Sequence, residues 1–352
     1  MFGFYRTFLA LLVVAHHLLN LTIIGHYAVH GFFILSGYLM TFVMHNSYGY
    51  RIEGKIFFAI NRILRLFPIY WFVLFLSILI IMYWGEESSS QYRQFIFLPN
   101  SFSAIFQNFS LIYLHWFPGS VSPRLSPPTW ALTVELIFYF LIALGVSKTE
   151  KRTVIWLVFG VFYFTLTYLL NLDYAYRYST VFAGSLPFSL GALIYHRRNQ
   201  ITKILKENPK LLNFYSLFGM LLVNAGIAMV AKNFSSSLLE NLSLYLNYIL
   251  NAFIVAYLIN ERPAVLTKKM DKIIGDFSYP IYLFHWQAGF AVSMLIWGKP
   301  LLNREVEGIV NFFAALILTF LVSVFAIKFI DGPIEKVRRK VKTLKRVKFL
   351  QS

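Results

Sequence analysis

A few ionisable side chains sit inside long apolar stretches of this sequence, and lipid makes each of them costly enough to count as a functional hypothesis. In the first stretch Arg6 and His17 stand eleven residues apart, close to three helical turns, so they share a face about 16 Å apart along the axis. His16 points roughly 80° away and reads as a packing residue. Glu135 lies two turns into a later stretch, roughly 11 Å below its outer end, a depth comparable to His17. A carboxylate is seldom left unpaired in such surroundings. A contact between His17 and Glu135, direct or through one residue or water, would make the imidazole a stronger proton acceptor. Tyr139 follows Glu135 at i+4 and can reach the same cavity. Taken singly, His17 more often reads as a packing histidine bonded to a carbonyl, and Glu135 as a structural ion pair or a proton-coupling site.

A second group is cationic. Arg62 and Arg65 stand at i and i+3 in NRILRLFPIYW, so their guanidinium forks project from one face. Either they snorkel to headgroups, or they form with Arg6 a cationic mouth suited to phosphates. Ser278, Tyr282 and His285 share a stripe on a late helix, where His285 either lines a donor tunnel or packs. His30 precedes FFILSGYLM, whose Ser36 and Gly37 permit close helix approach. Pro127 and Pro128 start the stretch that carries Trp130 and Glu135, and fix how both enter the membrane.

The elements that must position these groups are spans. With 58% hydrophobic and only 13% charged residues, the chain carries more apolar surface than a soluble core hides, which leaves lipid as its solvent. A hydrocarbon core about 30 Å thick needs roughly 20 apolar residues per helix. Ten stretches qualify, at 4–24, 27–44, 57–84, 128–147, 152–171, 176–196, 212–231, 241–260, 277–298 and 308–330. The expected fold is therefore all-α and polytopic, with a retained first span and no internal repeat. The third stretch is long enough to begin at the interface. Alternating the loops puts 26 of the 32 Lys and Arg on the side of both termini, which makes that side cytoplasmic.

The basic residues lie between apolar runs rather than along one polar face, so nucleic acid is not an expected partner. Eight of them fall between Lys336 and Lys348, a tail expected to meet anionic headgroups. The expected domains are 1–333 in the membrane and a basic tail at 334–352. The connection at 85–127 is long enough to act as a lid or binding element. The chain has no Cys, which excludes disulfides, thiolate metal sites and a cysteine acyl-enzyme.

These motifs resemble the membrane acyltransferase type 3 family of surface-glycan O-acyltransferases. RTFLALLVVAHH resembles the family's Arg, ten residues, His signature at Arg6 and His17, and FFILSGYLM its FFxxSGxL element. NRILRLFPIYW resembles the arginine motif at Arg62 and Arg65. TWALTVELIFYF resembles WSLxxExxFY at Trp130, Glu135 and Tyr139, and FSYPIYLFHW the late SYxxYLxH element at Tyr282 and His285. Departures are Asn61 for the first Arg of the cluster, Ala131 for Ser, and His30 for Asp. The short GDFS at 275–278 reads as a helix start, and the extra helix and esterase-like domain of some relatives are not expected.

The resemblance implies acetyl transfer from cytoplasmic acetyl-CoA, a co-substrate rather than a tightly bound cofactor, to a hydroxyl of a glycan or lipid-linked glycan such as lipopolysaccharide O-antigen. It implies a multi-pass protein of the cytoplasmic (inner) membrane. His17 would be the general base and Glu135 its partner. Arg6, Arg62, Arg65 and His285 would serve the donor; Trp130, Tyr139, Tyr282 and His30 would bind or support the acceptor. No metal is needed. The rival reading is a transporter or flippase of an anionic lipid-linked sugar, with His17 and Glu135 relaying protons.

Overall fold

The computed structural model describes residues 2–350 apart from 210, 211, 262 and 264, with side chains described as far as 341. Among the described residues every regular element is helical. In chain order the α-helices are α1 (Gly3–Leu18), α2 (Ile24–Val43), α3 (Ile52–Trp84), α4 (Glu86–Tyr92), α5 (Phe102–Ser110), α6 (Trp130–Leu144) and α7 (Glu150–Leu169). There follow α8 (Tyr174–Tyr178), α9 (Ser185–Glu207), α10 (Phe214–Asn233), α11 (Ser237–Asn260), α12 (Lys268–Trp297), α13 (Val306–Ala326) and α14 (Gly332–Leu350). Seven stretches are long and apolar enough to cross a membrane. The other three expected spans are helical too, but α1 has only 16 residues and α9 and α12 each have a charged end. The protein is an all-α, polytopic membrane protein.

Three expected boundaries are corrected. The first helix stops at Leu18 rather than at 24, because Asn20 and Ile23 adopt φ of +49° and +62° and turn the chain. The Arg304 guanidinium donates to the carbonyls of Leu19, at 3.0 Å, and of Asn20, so carbonyls that follow the helix end are not left bare. His16 and His17 thus occupy the last turn of α1. The stretch 176–196 divides into α8, a 3-10 turn at Phe182–Gly184 and α9. Asp173 caps α8 by accepting from the Ala175 N–H at 2.8 Å, and Thr180 accepts from the Ala183 N–H at 3.2 Å. Finally, α12 begins at Lys268, where the Thr267 hydroxyl accepts from the Met270 N–H at 3.1 Å. GDFS therefore lies inside the helix rather than at its start.

The chain divides into two compact units, residues 1–17, 21–43 and 137–278, and residues 18–20, 44–136 and 279–352. In the first, α2 and α9 approach backbone to backbone. A Cβ on Gly37 would lie 2.1 Å from the Phe188 carbonyl oxygen, and one on Gly191 would lie 1.9 Å from that of Ile34. The Phe188 ring fills the space beside this contact, 5.2 Å from Phe33 and 4.7 Å from Phe138. On α11, Ser243, Asn247 and Asn251 recur every four residues and form one polar stripe. Asn251 accepts from the Tyr5 hydroxyl of α1 and donates to the Asn247 carbonyl at 2.6 Å, and Asn247 donates to the Tyr27 carbonyl of α2 at 3.3 Å. Asn224 of α10 donates to the Ser243 carbonyl at 2.9 Å.

In the second unit α3 is the longest helix described, 33 residues with Pro68 inside it. The long connection at 85–127 is ordered around Asn108. Its amide donates to the carbonyls of Ala104 and Pro123, and its oxygen accepts from the Leu125 N–H, each at 2.9 Å. Gln287 of α12 donates to Leu125 O at 2.6 Å and to Ser77 Oγ of α3 at 2.7 Å, which ties the connection to two helices.

Gly191→Ala is expected to lower stability by roughly 1–3 kcal/mol, because its Cβ has no room unless α2 and α9 separate. Gly219→Ala in α10, where a Cβ meets nothing within 4 Å, is the control. Thermal unfolding of the reconstituted protein should show the first variant melting earlier and the second not.

Candidate active site

The first unit holds Arg6, His17, His30 and Tyr139. The start of α1 is fixed by Asp271 of α12, whose carboxylate accepts from the backbone N–H groups of Gly3 at 3.1 Å and Phe4 at 3.0 Å. A carboxylate at a helix N-terminus satisfies otherwise orphaned donors and complements the helix dipole. The Thr7 hydroxyl adds a bond to the Ile274 carbonyl at 2.6 Å. This docking sets Arg6 against α12, where a Cβ on Gly275 would stand 2.9 Å from Arg6 Nη2.

At the opposite end of α1 the half-buried His17 ring lies 5.0 Å from the His16 ring. His16 Nδ1 pairs with the Leu21 carbonyl, and its ring stands 5.0 Å from His26. His16 therefore links the end of α1 to α2. His30 is buried, 1% exposed, between the rings of Tyr178 and Tyr248. Tyr139 packs edge-on to Phe188 at 6.5 Å.

The second unit brings Trp130, Glu135, Tyr282 and His285 into buried positions. The Tyr282 hydroxyl donates to the Pro128 carbonyl at 2.8 Å and lies within electrostatic reach of Glu135. The His285 ring is 6.5 Å from that of Tyr282, and its Nδ1 is 3.3 Å from the Ile281 carbonyl one turn earlier. Pro128 thus both starts the helix turn and anchors Tyr282.

The same unit gathers the arginines. Arg65 donates through Nη1 to both carboxylate oxygens of Asp331, at 3.1 and 2.9 Å. Arg62 donates to Asn61 Oδ1 at 3.0 Å, and Arg338 of α14 donates to the same oxygen at 3.2 Å. Arg338 is 8% exposed and also binds Glu335 at 2.7 Å. Asn61 is the acceptor that holds two guanidinium groups together. The result is three cations with two carboxylates, a cluster able to hold phosphate oxygens.

Sequence reasoning missed Arg338, Asp271 and Arg124. Arg338 belongs to the basic tail expected to meet headgroups, and instead packs on α3; the tail's side chains beyond 341 lie outside the described residues. Asp271 sits three residues into a helix whose start was misplaced. Arg124 had no apolar run around it to mark it. It is 5% exposed, stacks over the Phe95 ring at 4.6 Å, and lies within electrostatic reach of Tyr282. Its Nε and Nη1 have no hydrogen-bond partner among the described residues.

A family profile described as an acyltransferase domain matches residues 4–328 of the chain. No curated protein and no solved structure matches it.

Burial pushes the Arg124 guanidinium down to about 10 from its usual range. Between that pH and the ordinary arginine range the unfolded chain holds a proton that the folded chain has released, so stability rises with pH there. At neutral pH the group is charged and its desolvation cost is fully present. Arg124→Met is therefore expected to stabilise the protein by on the order of 1–4 kcal/mol at pH 7. A lower melting temperature in the variant would show that the stacking on Phe95 and the remaining contacts of the guanidinium outweigh that cost.

Proposed function

The chain belongs to the acyltransferase 3 family, and from that premise we propose that this membrane acyltransferase moves an acetyl group from acetyl-CoA to a hydroxyl of a cell-surface or lipid-linked glycan. The family match over residues 4–328 is the observation that carries the reading. The chemistry of the arginine cluster supports the choice of donor. Arg62, Arg65 and Arg338 offer forked donors to phosphate, and CoA is rich in phosphate. In this reading Arg6 and His285 also serve the donor. The segregation of 26 of 32 basic residues to the side of the termini supports a cytoplasmic donor site and a multi-pass protein of the cytoplasmic membrane.

In the reaction the acceptor oxygen attacks the thioester carbonyl as one ring nitrogen of His17 takes the hydroxyl proton. The tetrahedral intermediate collapses, the C–S bond breaks, and the CoA thiolate leaves and takes up a proton. In this reading Glu135 is the second catalytic group, in the role a carboxylate plays for a catalytic histidine. Trp130, Tyr139, Tyr282 and His30 bound or support the acceptor.

Purified protein given labelled acetyl-CoA and envelope glycan should release CoA and label the glycan. His17→Ala should lower turnover about 100-fold or more, the usual contribution of a general base. Intact turnover in that variant would remove His17 from the mechanism. Arg62→Ala should raise the KM for acetyl-CoA about tenfold or more while sparing that for glycan, since a hydrogen bond to a charged group is worth about 1.5–3 kcal/mol.

A further inference from the structure

Two helices of the first unit carry aromatic pairs at a spacing of four. His26 and His30 share one face of α2, and Tyr174 and Tyr178 share one face of α8. The pairs interleave. The His26 ring stacks on Tyr178 at 3.9 Å and 23°, and on Tyr174 at 5.6 Å and 13°. His30 meets the edge of Tyr178 at 5.6 Å and leans on Tyr248 of α11 at 4.8 Å. His26, Tyr174 and Tyr178 are only half-buried, whereas His30 and Tyr248 are 1% and 3% exposed.

The polar atoms of this cluster are what set it apart. Both nitrogens of His30, Nδ1 of His26 and the hydroxyls of Tyr174 and Tyr248 are buried with no hydrogen-bond partner among the described residues. Buried polar groups are nearly always satisfied, so five orphaned atoms on four touching side chains point to something that binds there. A neutral imidazole offers one donor and one acceptor, and a phenol offers both. That set matches hydroxyl groups, which donate and accept alike. It does not match a phosphate, which only accepts and would prefer cations.

We propose that this cluster is a carbohydrate subsite that holds one sugar ring of the acceptor. The proposal rests on the glycan-acceptor reading above. Its place in the fold is apt: the His17 ring is two ring contacts from His26, through His16, each of 5.0 Å. A sugar held against His26 and Tyr178 keeps the next sugar of the chain near the end of α1, where His17 stands.

The test uses the full chain in nanodiscs prepared without sugar detergent. The probes are the methyl glycosides of glucose, galactose, mannose, N-acetylglucosamine and rhamnose, followed by saturation-transfer NMR. At least one should show saturable contact with the wild type, and His30→Phe, Tyr174→Phe and Tyr248→Phe should each weaken it about tenfold. The tyrosine variants remove a single oxygen and keep the test decisive if His30→Phe does not fold. In acetyl transfer the same variants should raise the KM for glycan and leave that for acetyl-CoA within twofold. Absence of saturable contact with every probe, or unchanged affinity in all variants, overturns the subsite. Variant-sensitive sugar binding in a wild type that never transfers acetyl supports the subsite and overturns the acyltransfer to glycan. Acetyl transfer that the three variants leave unaltered does the reverse.

Discussion

Hydrocarbon offers a buried amide or carbonyl nothing to bond to, so a polar side chain among these helices must find its partner in the protein or in something bound to it. The stripe Ser243, Asn247 and Asn251 shows the consequence. Its bonds reach Tyr5 on α1, Tyr27 on α2 and Asn224 on α10, so one face of α11 is stitched to three other helices. Apolar packing alone would leave their register loosely set, since lipid tails compete on equal terms with leucine. The hydrogen bonds specify the register that presents Arg6 and His17 along α1. The close approach of α2 and α9 at Gly37 and Gly191 does the same for α2, and thereby for His26 and His30.

The same constraint explains what could be read from the sequence. Ionisable groups in apolar runs stand out by contrast, and for that reason Arg6, His17, Arg62, Arg65 and Glu135 were visible, as were the helices that carry them. Helix ends were read less well where polar capping decides them. Thr267 starts α12 ahead of the apolar run, and two left-handed residues end α1 before the hydropathy falls. Both are local backbone events that a hydropathy window averages away. Partners far apart in the chain were not legible at all. Nothing near Arg65 announces Asp331, and nothing near Gly3 announces Asp271.

The histidines illustrate a third kind of gap. His16 was read as a packing residue because it lies off the Arg6 and His17 face, and it does pack. What it packs against is His26, and the aromatic cluster beyond was unreadable because its other members come from α8 and α11. The spacing of four in His26 and His30, and again in Tyr174 and Tyr178, was present in the sequence. Only the fold shows that the two pairs interleave.

Asn61 bears on how the cationic cluster can exist. Arg62 and Arg338 converge on one Asn61 oxygen, and Arg338 lies within electrostatic reach of Arg65. Like charges this close, with little water, repel strongly. Asp331 and Glu335 offset part of that repulsion, and the Asn61 carbonyl supplies an acceptor without adding a cation. An arginine at position 61 would add a fourth positive charge and remove the shared acceptor, and the cluster would then need an anion to stay together. With asparagine the three guanidinium groups are held in place by the protein alone, which in the donor-site reading proposed above means before a phosphate arrives. Less of the binding free energy then goes into ordering side chains, which is the advantage of a preorganised site.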